Sequence, residues 1–454
     1  MESKNKLAKM LAYKISPSSI SGRVSVPPSK SHTLRAIFWA SVAQGTSIIH
    51  NALASPDSEA MIQACEQLGA KILRKSTHLG ITGTSQLTLP RDTSINAGSS
   101  GIVFRFFTAL AAIFSEKITI TGSSQLQRRP IAPLIRALEN FGATFSYEGD
   151  PYSLPFSVLG PISSGYTEVL GDDSQYASAL AIACSLAEGP FSFTIINPKE
   201  RPWFALTLWW LDFLAIPYVQ SDDTYSFEGN ARPQAFSYTV GGDFSTAAFL
   251  AAAALLSQSP HPTYLENLNI DDIQGDKELF FLLKKLGANI TFENNTMIIF
   301  PSTFSGGNID MDLFIDALPI LSVLCCFATS SSYLYNARGA KDKESDRIIA
   351  ITQELQKMGA CIQPCHDGLL INPSPLYGAS MHSHNDHRIA MALSIAAMHA
   401  SGESIIYDTG CVEKTFPNFI RILNSLHANV QEHHEYISLR PAHSGQDIVR
   451  QGSR

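Results

Sequence analysis

Basic side chains stand at the predicted starts of several helices, where they oppose the helix dipole and therefore require an anionic partner. The clearest examples are Arg129, Arg201, Arg347, Arg388 and Lys414. A helix start also offers free backbone N–H groups, which bind phosphate and carboxylate oxygens. If these starts converge on one cleft, that cleft would suit one or two small ligands carrying several anionic groups.

A second set of predicted helices is apolar all round, and the residues at their starts belong to the same pattern. Those residues are Lys30, Ser31 and Arg35; Gly101 and Arg105; Ser174 and Gln175; Asp243 and Ser245; Asp316; and Asp386, His387 and Arg388. Arg35 and Arg105 lie four residues into their helices, where a structural salt bridge competes with ligand contact, and we favour ligand contact. Asp57 and Asp276 are interpreted as plain N-caps.

The elements that must position these residues recur six times. A run ending near Leu-Gly-Ala recurs around Gly69, Gly142, Ala215, Gly287, Gly359 and His427, at steps of 68 to 73 residues. Each copy holds a buried apolar helix, an amphipathic helix and short alternating strands. The apolar helices are predicted at 31–43, 101–114, 174–187, 245–257, 316–329 and 385–400, and the amphipathic ones at 57–68, 129–141, 201–214, 276–286, 346–358 and 414–426. A regular period indicates one repeated supersecondary unit, so we expect two domains of three units with a midpoint near Gly241.

Composition excludes several classes of function. The 454 residues are 45% hydrophobic and carry a net charge of −7, which disfavours nucleic acid as a partner. No apolar run reaches the ~20 residues of a membrane span. Seven cysteines, mostly in apolar segments, indicate reduced thiols and a cytoplasmic protein. His382, His384 and His387 have no complementary carboxylate or cysteine pattern, so we predict no metal site.

Six motifs, in order along nearly the whole chain, resemble those of the EPSP synthase family of enolpyruvyl transferases. They are Lys30-Ser31 with Arg35; Arg129-Pro-Ile; Asp172-Asp-Ser174-Gln175; Lys343-Glu344-Ser-Asp346-Arg347; Asn385-Asp-His-Arg388; and Lys414-Thr-Phe-Pro417. The resemblance implies a two-domain, inside-out α/β barrel of six βαβαββ units that closes over its substrates. It also implies that residues 29–241 form one domain and that residues 1–28 and 242–454 together form the other.

The activity implied by the resemblance is transfer of the enolpyruvyl group of phosphoenolpyruvate to the 5-hydroxyl of shikimate 3-phosphate. Phosphate is released, and the product leads to chorismate and the aromatic amino acids. The resemblance implies no metal or organic cofactor, no partner other than these two small molecules, and a monomer. By the same resemblance, Gly101 leaves room for phosphoenolpyruvate, and glyphosate is expected to compete with it.

The resemblance also assigns residues. Phosphoenolpyruvate is expected to contact Lys30, Gly101, Arg129, Gln175, Arg347, Arg388 and Lys414. Shikimate 3-phosphate is expected to contact Lys30, Ser31, Arg35, Ser174, Gln175, Asp316, Asn336 and Lys343. Asp316 is the implied base and Glu344 the implied acid, with Lys30 assisting proton transfer. Burial would raise the pKa of Glu344 while Lys343 and Arg347 would lower it, and the sequence leaves the outcome open.

Three positions depart from the family pattern on the side of shikimate 3-phosphate. Asp173 and Glu200 replace serines, and Trp203 replaces a tyrosine. An aspartate at position 173 would repel phosphate unless it is turned away, and Arg201 is a candidate to compensate Glu200. UDP-N-acetylglucosamine enolpyruvyl transferase is the alternative within the fold, but the chain has no cysteine between Cys65 and Cys184 where that family places its catalytic loop. A non-catalytic binding module and an RNA 3′-phosphate cyclase are the remaining alternatives.

Overall fold

The structure is a computed structural model, and it describes residues 7–84 and 93–438. The strands are β1 (Leu7–Ser16), β2 (Gly22–Ser25), β3 (Thr46–His50), β4 (Lys71–Arg74), β5 (His78–Thr82), β6 (Thr93–Asn96), β7 (Ile118–Thr121), β8 (Thr144–Tyr147), β9 (Phe156–Leu159), β10 (Gly165–Leu170), β11 (Phe191–Ile196), β12 (Val219–Ser221), β13 (Thr224–Phe227), β14 (Ser237–Thr239), β15 (Thr263–Glu266), β16 (Ile290–Glu293), β17 (Thr296–Ile299), β18 (Asn308–Asp310), β19 (Ser332–Tyr335), β20 (Cys361–Cys365), β21 (Gly368–Asn372), β22 (Ser380–His382), β23 (Ser404–Tyr407) and β24 (Asn429–Ser438).

The α-helices alternate with these strands. They are α1 (Lys30–Val42), α2 (Pro56–Gln67), α3 (Gly101–Ala111), α4 (Ser124–Gln127), α5 (Ala132–Asn140), α6 (Ser174–Leu186), α7 (Arg201–Phe213), α8 (Phe244–Leu255), α9 (Glu278–Lys285), α10 (Leu318–Cys326), α11 (Arg347–Lys357), α12 (His387–Met398) and α13 (Phe419–Ser425). In the described part of the chain, none of these helices is long and apolar enough to cross a membrane.

Six four-stranded sheets share one connectivity. In each sheet, two parallel strands are followed by two strands that pair antiparallel, as in the order β10-β11-β13-β12. In the units that are continuous in the chain, such as β10-α6-β11-α7-β12-β13, the two helices follow the first and second strands, which gives the pattern βαβαββ. The predicted α/β class with six repeated units is therefore confirmed.

Three units are completed by strands from distant parts of the chain. β1 pairs with β23 and β24 and so completes the sixth sheet. β2 pairs with β15 of the fourth sheet, whereas β14 pairs with β3 of the first. The two crossing segments meet where Ser29 N–H donates to Gly241 O at 2.8 Å and Asp243 N–H donates to Pro27 O at 2.9 Å.

The buried apolar side chains form two separate cores. One core runs from Leu34 to Val240, and the other joins Tyr13–Val26 to residues 244–430. We propose that the domain boundaries lie at 28/29 and 241/242, since each core stays on one side of them.

The first helix of each unit is buried because its side chains are small or apolar on every face. All twelve residues of α8, for example, are buried. Side chains cap most of these helices: Ser29, Ser100, Asp173, Asp243 and Asp386 each accept a backbone N–H of the first turn. Several of the predicted functional residues lie at these capped helix starts.

Several predicted helix starts are wrong. Arg129 lies three residues before α5, because Pro130 disfavours helical backbone at the preceding residue. Lys414 ends a 3₁₀ helix (Thr409–Lys414), and α13 begins only at Phe419. Neither cation therefore opposes an α-helix dipole, and other contacts must explain its position.

The N-cap interpretation also fails at two aspartates. Ser55, not Asp57, caps α2. Asp276 lies in a 3₁₀ helix (Gly275–Lys277), where it accepts a hydrogen bond from Ser245 Oγ. Burial, reinforced by the nearby charge of Asp316, raises the pKa of Asp276 to about 7.

Candidate active site

A polar cavity lies between the two halves of the chain, at the starts of the buried helices. The space inside it, together with the part that is open to solvent, is about 740 Å³. Its lining is drawn from all six units and consists of Lys30, Ser31, Arg35, Asp57, Gly101, Ile102, Arg129, Ser174, Gln175, Glu200, Trp203, Asp243, Ser245, Asp316, Lys343, Glu344, Arg347, His387, Arg388 and Thr415. The predicted convergence of helix starts on one cleft is thus present in the structure.

Arg347 is the centre of the charge network on one side of the cavity. Its guanidinium is almost fully buried and lies 2.7 Å from Asp316, 2.8 Å from Glu344 and 2.8 Å from Asp386. Asp386 also caps α12 by accepting the N–H of Arg388 at 2.9 Å. The cap therefore fixes Arg347 as well as the helix, and Arg347 presents its outer edge to the cavity.

Glu344 lies among three cationic groups. Besides Arg347, its carboxylate is 3.1 Å from Lys414 Nζ and 3.8 Å from Arg129 Nη1. Burial by itself raises the pKa of Glu344, but Lys414, Arg347 and Arg129 outweigh it and hold the pKa well below its usual range. The question left open by the sequence is therefore decided in favour of the cations, and Glu344 is ionised when the cavity holds no ligand.

Asp316 is held between two arginines. Arg347 Nη1 contacts one carboxylate oxygen at 2.7 Å, and Arg388 Nη2 contacts the other at 2.8 Å. Burial opposes ionisation, but Arg388, Arg347 and Lys343 lower the pKa of Asp316 far below its usual value. The group is a carboxylate at every ordinary pH, which is the form that a general base requires.

Lys30 and Arg35 line the part of the cavity next to the crossing segments. Lys30 Nζ lies 3.4 Å from Asp57, and the Lys30 N–H donates to Asp243 at 3.1 Å. Arg35 donates to Thr207 Oγ1 at 2.9 and 3.0 Å. Burial lowers the pKa of Arg35 to about 9, and in the described ranges no carboxylate forms an ion pair with it. Arg35 therefore retains a charge that an anionic ligand can pair.

Arg105, by contrast, is structural. It is fully buried, and its guanidinium lies 3.3 Å from Asp173 and 2.9 Å from Pro130 O. The expectation of ligand contact is not supported for this residue. The same ion pair turns Asp173 away from the cavity, which removes the repulsion that its position in the sequence suggests.

Glu200 is compensated by Lys343 instead of Arg201. Glu200 accepts hydrogen bonds from Lys343 Nζ and, at 3.1 Å, from Ser174 Oγ. Arg201 instead pairs with Asp223 at 2.7 Å on the surface. The suggested role of Arg201 is therefore wrong, because its side chain leaves the helix start on the solvent side.

The structure requires a residue without a Cβ at position 101, but for a steric reason different from the one predicted. A Cβ at this position would lie 2.5 Å from Arg129 Nη1 and 2.9 Å from Arg129 Cζ. The glycine, which itself lines the cavity, therefore makes room for the guanidinium of Arg129.

Two of the predicted ligand contacts do not line the cavity. Asn336 instead donates to both carboxylate oxygens of Asp310, at 3.0 and 3.1 Å. Lys414 lies behind Glu344 and donates to Ser99 O at 2.9 Å. The other predicted site residues all belong to the lining, and Gln175 Oε1 has no hydrogen-bond partner among the described atoms.

The sequence argument missed several lining residues as ligand contacts, namely Asp57, Asp243, Ser245, His387 and Thr415. His387 and Thr415 stand next to the predicted Arg388 and Lys414, and that adjacency is the signal that could have identified these two. His387 is fully buried, and burial lowers its pKa well below the usual value. Neither of its ring nitrogens has a hydrogen-bond partner within the described part of the chain, so the neutral imidazole is available to a ligand.

Within the described residues, Glu344, Asp386 and His387 bring one ligand atom each within 4.8 Å of one another. Both carboxylates already accept hydrogen bonds from Arg347. This arrangement is accounted for by the arginine, and we assign no metal to it.

Comparison with known proteins defines the class to which this fold and this cavity belong. The family model for EPSP synthase (3-phosphoshikimate 1-carboxyvinyltransferase) matches residues 15–423. The EPSP synthase of Acinetobacter baumannii has a similar structure, with a TM-score of 0.79 and 26% identity over 93% of this chain and 100% of that one. The enolpyruvyl transferase NikO of Streptomyces tendae shares the fold, with a TM-score of 0.75, 14% identity, and 95% and 100% of the two chains covered.

Relatives with higher identity are found in Chlamydia. A 3-phosphoshikimate 1-carboxyvinyltransferase of Chlamydia abortus is 91% identical over 98% of this chain and 100% of its own length. One from Chlamydia pneumoniae is 63% identical over 97% of this chain and 99% of its own length. The chain belongs to the EPSP synthase family.

Proposed function

We propose that this chain transfers the enolpyruvyl group of phosphoenolpyruvate to the 5-hydroxyl of shikimate 3-phosphate and releases phosphate. The relatives named 3-phosphoshikimate 1-carboxyvinyltransferase, one of them 91% identical, support this activity. The single structural observation that carries it is the placement of Asp316 and Glu344, each held by arginines that face the same cavity. Two carboxylates in a cation-lined cavity fit a reaction that needs one base, one acid and several anion contacts.

Phosphoenolpyruvate binds, in this proposal, to the side of the cavity lined by Arg129, Arg347 and Arg388, with Lys414 behind Glu344 as a further cation. In the free protein these cations are paired with the protein's own carboxylates, Asp316 and Glu344 among them. A phosphate and a carboxylate entering this side compete for the same guanidinium groups, because arginine binds both anions in the same bidentate way. Substrate binding therefore loosens the hold of the arginines on the two catalytic carboxylates.

Shikimate 3-phosphate binds on the other side of the cavity, against Lys30, Ser31, Arg35, Ser174 and Lys343. Arg35 contributes a buried charge that no carboxylate pairs in the described part of the chain. Gln175 lines the cavity, its Oε1 has no hydrogen-bond partner among the described atoms, and in this proposal its side chain contacts either substrate. Asn336 contributes indirectly in this proposal, since it is bonded to Asp310 instead of facing the ligand.

Proton transfer follows from the two carboxylates. Asp316, ionised and partly released from Arg347 and Arg388, takes the proton of the 5-hydroxyl as that oxygen attacks the enolpyruvyl carbon. Glu344, which must first be protonated, delivers that proton to the methylene carbon, and a tetrahedral adduct forms. Phosphate then leaves the adduct while the new methyl group returns a proton to Glu344, which restores the double bond of the enolpyruvyl group. Because Arg347 and Lys414 hold the pKa of Glu344 low in the free protein, neutralisation of these cations by substrate raises that pKa toward the working range. Lys30 lines the same cavity and, in this proposal, assists the proton transfer.

The experiment is a phosphate-release assay with both substrates, run in parallel with UDP-N-acetylglucosamine as acceptor. We expect phosphate release when the acceptor is shikimate 3-phosphate and no release when it is UDP-N-acetylglucosamine. Asp316→Asn should abolish release, whereas Asp271→Asn, the same change at an exposed site, should not. Release only with UDP-N-acetylglucosamine would favour the other enolpyruvyl transfer, and release with neither acceptor would favour a non-catalytic module.

Three further expectations belong to this proposal. The protein works as a monomer in the cytoplasm. Light scattering after size exclusion tests the oligomeric state, and cell fractionation tests the location. It requires no nucleic acid. Glyphosate competes with phosphoenolpyruvate, which inhibition at varied phosphoenolpyruvate concentration tests.

A further inference from the structure

Glu200 is a buried carboxylate on the acceptor side of the cavity, and the proposed proton transfers do not use it. It is 3% exposed and immediately precedes α7, with φ of 52° and ψ of 35°. Residues other than glycine adopt this left-handed conformation rarely, and such positions concentrate where function requires a side chain in one place. The backbone conformation directs Glu200 toward the cavity, whereas the next residue, Arg201, points to solvent.

The carboxylate of Glu200 joins the two halves of the chain. One oxygen accepts from Ser174 Oγ at 3.1 Å, in the half with residues 29–241, and the other accepts from Lys343 Nζ, in the opposite half. The Glu200 N–H donates to Asp312 in that opposite half at 3.2 Å. An anion between Ser174 and Lys343 thus holds the cleft together in the absence of any ligand.

Ser174 and Lys343 are also the groups that an anionic acceptor needs. A hydroxyl donor and an ammonium donor, with the start of α6 beside them, bind one phosphate oxygen each. Glu200 and a phosphate cannot both occupy this position, because two anions at hydrogen-bond distance from the same donors repel each other. Burial raises the pKa of Glu200 despite the charge of Lys343, because the buried carboxylate has lost its solvation by water.

We propose that Glu200 is a specificity-determining residue whose carboxylate occupies the anion position between Ser174 and Lys343 and is displaced by the phosphate of the acceptor. This inference rests on the proposed function, since it concerns the acceptor side of the same cavity. Glu200 sets the threshold for acceptor binding: a ligand with a doubly charged phosphate at this position displaces it, and a ligand with a hydroxyl group at this position does not.

The test is calorimetric titration of the protein with shikimate 3-phosphate and, separately, with shikimate, in the absence of phosphoenolpyruvate. In Glu200→Gln the neutral amide competes less for Lys343, so shikimate 3-phosphate should bind about tenfold more tightly. Binding of shikimate, which carries no phosphate, should change less than about twofold. Glu168→Gln makes the same substitution on the exposed face of β10 and should change neither affinity.

Steady-state kinetics supply the second readout. In Glu200→Gln the KM for shikimate 3-phosphate should fall while the KM for phosphoenolpyruvate stays within about twofold. Glu200→Ser, with a smaller side chain, repeats the test if the glutamine variant does not fold. Unchanged or weaker binding of shikimate 3-phosphate in a folded variant would overturn the inference, as would an equal gain for shikimate.

The two failures can be told apart. If the wild-type protein releases no phosphate from its two substrates, the proposed function fails. If the wild type is active but Glu200→Gln binds shikimate 3-phosphate no more tightly, only the inference about Glu200 fails.

Discussion

Substitution of Gly101 by alanine should weaken phosphoenolpyruvate binding through the side chain of Arg129. The new Cβ would stand 2.5 Å from Arg129 Nη1, where ordinary contact begins at 3.4 Å, so the guanidinium must retreat by about 0.9 Å. Gly101 itself cannot move away, because it is the buried first residue of α3, which is packed on every side.

The size of the effect follows from the lost contact. A hydrogen bond to a charged group contributes about 1.5–3 kcal/mol, and a displacement of this size removes most of one such bond to the substrate. The KM for phosphoenolpyruvate should therefore rise about 10- to 150-fold, with a smaller change in the KM for shikimate 3-phosphate. The assay is initial-rate phosphate release at varied phosphoenolpyruvate and saturating acceptor.

Two controls separate this mechanism from general damage. Gly149→Ala adds the same methyl group where no atom lies within 4 Å, and it should leave both KM values unchanged. In the background of Arg129→Ala, Gly101→Ala should have little further effect, because the group that the methyl displaces is absent. Full additivity of the two substitutions, or an unchanged KM in Gly101→Ala alone, would refute the steric argument.

Three other substitutions probe the same cavity. Lys414→Ala removes the ammonium group that is bonded to Ser99 O and Glu344. Circular dichroism should show an intact fold, and the KM for phosphoenolpyruvate should rise about tenfold or more. Unchanged kinetics would contradict the assignment of Lys414 to the phosphoenolpyruvate side. Glu344→Gln removes the proposed acid and should lower kcat by about 10²–10⁴-fold, and a loss below tenfold would exclude that role. Asp272→Ala breaks the contact of 3.1 Å between Asp272 and His32, which joins the two halves. Small-angle scattering of the free protein should then show a larger radius of gyration. An identical radius would show that this contact does not hold the two halves together.

The repeated architecture was predictable because it is a local and periodic property. Each unit carries its own apolar and amphipathic helix, and helical periodicity is visible in a single segment of sequence. All twelve predicted helices are present, and the main errors lie at their starts. Near Arg129 and Lys414, prolines cause the helices to begin three and five residues later than these cations. The two cations therefore lie outside the α-helices.

The partners of the charged residues could not be predicted, because they come from remote parts of the chain. Arg105 was expected to contact ligand, but Asp173, 68 positions further along, neutralises it. Arg201 was expected to compensate its neighbour Glu200, but Lys343 does so from the other half of the chain. Adjacent helix residues point in different directions, so proximity in sequence is a poor guide to ion pairing.

The sequence alone therefore determined the α/β class, the six-fold repeat and the charged helix starts other than those assigned to Arg129 and Lys414, since each depends on the order of residues within one unit. Only the tertiary structure decided how these charges are shared. It interleaves β1, β2 and β14 with distant units and brings the helix starts of both halves to one cavity. There burial strengthens every electrostatic interaction, so that cations hold Glu344 and Asp316 ionised and a buried Glu200 occupies an anion position. Those outcomes depend on distances between residues hundreds of positions apart, which no local pattern contains.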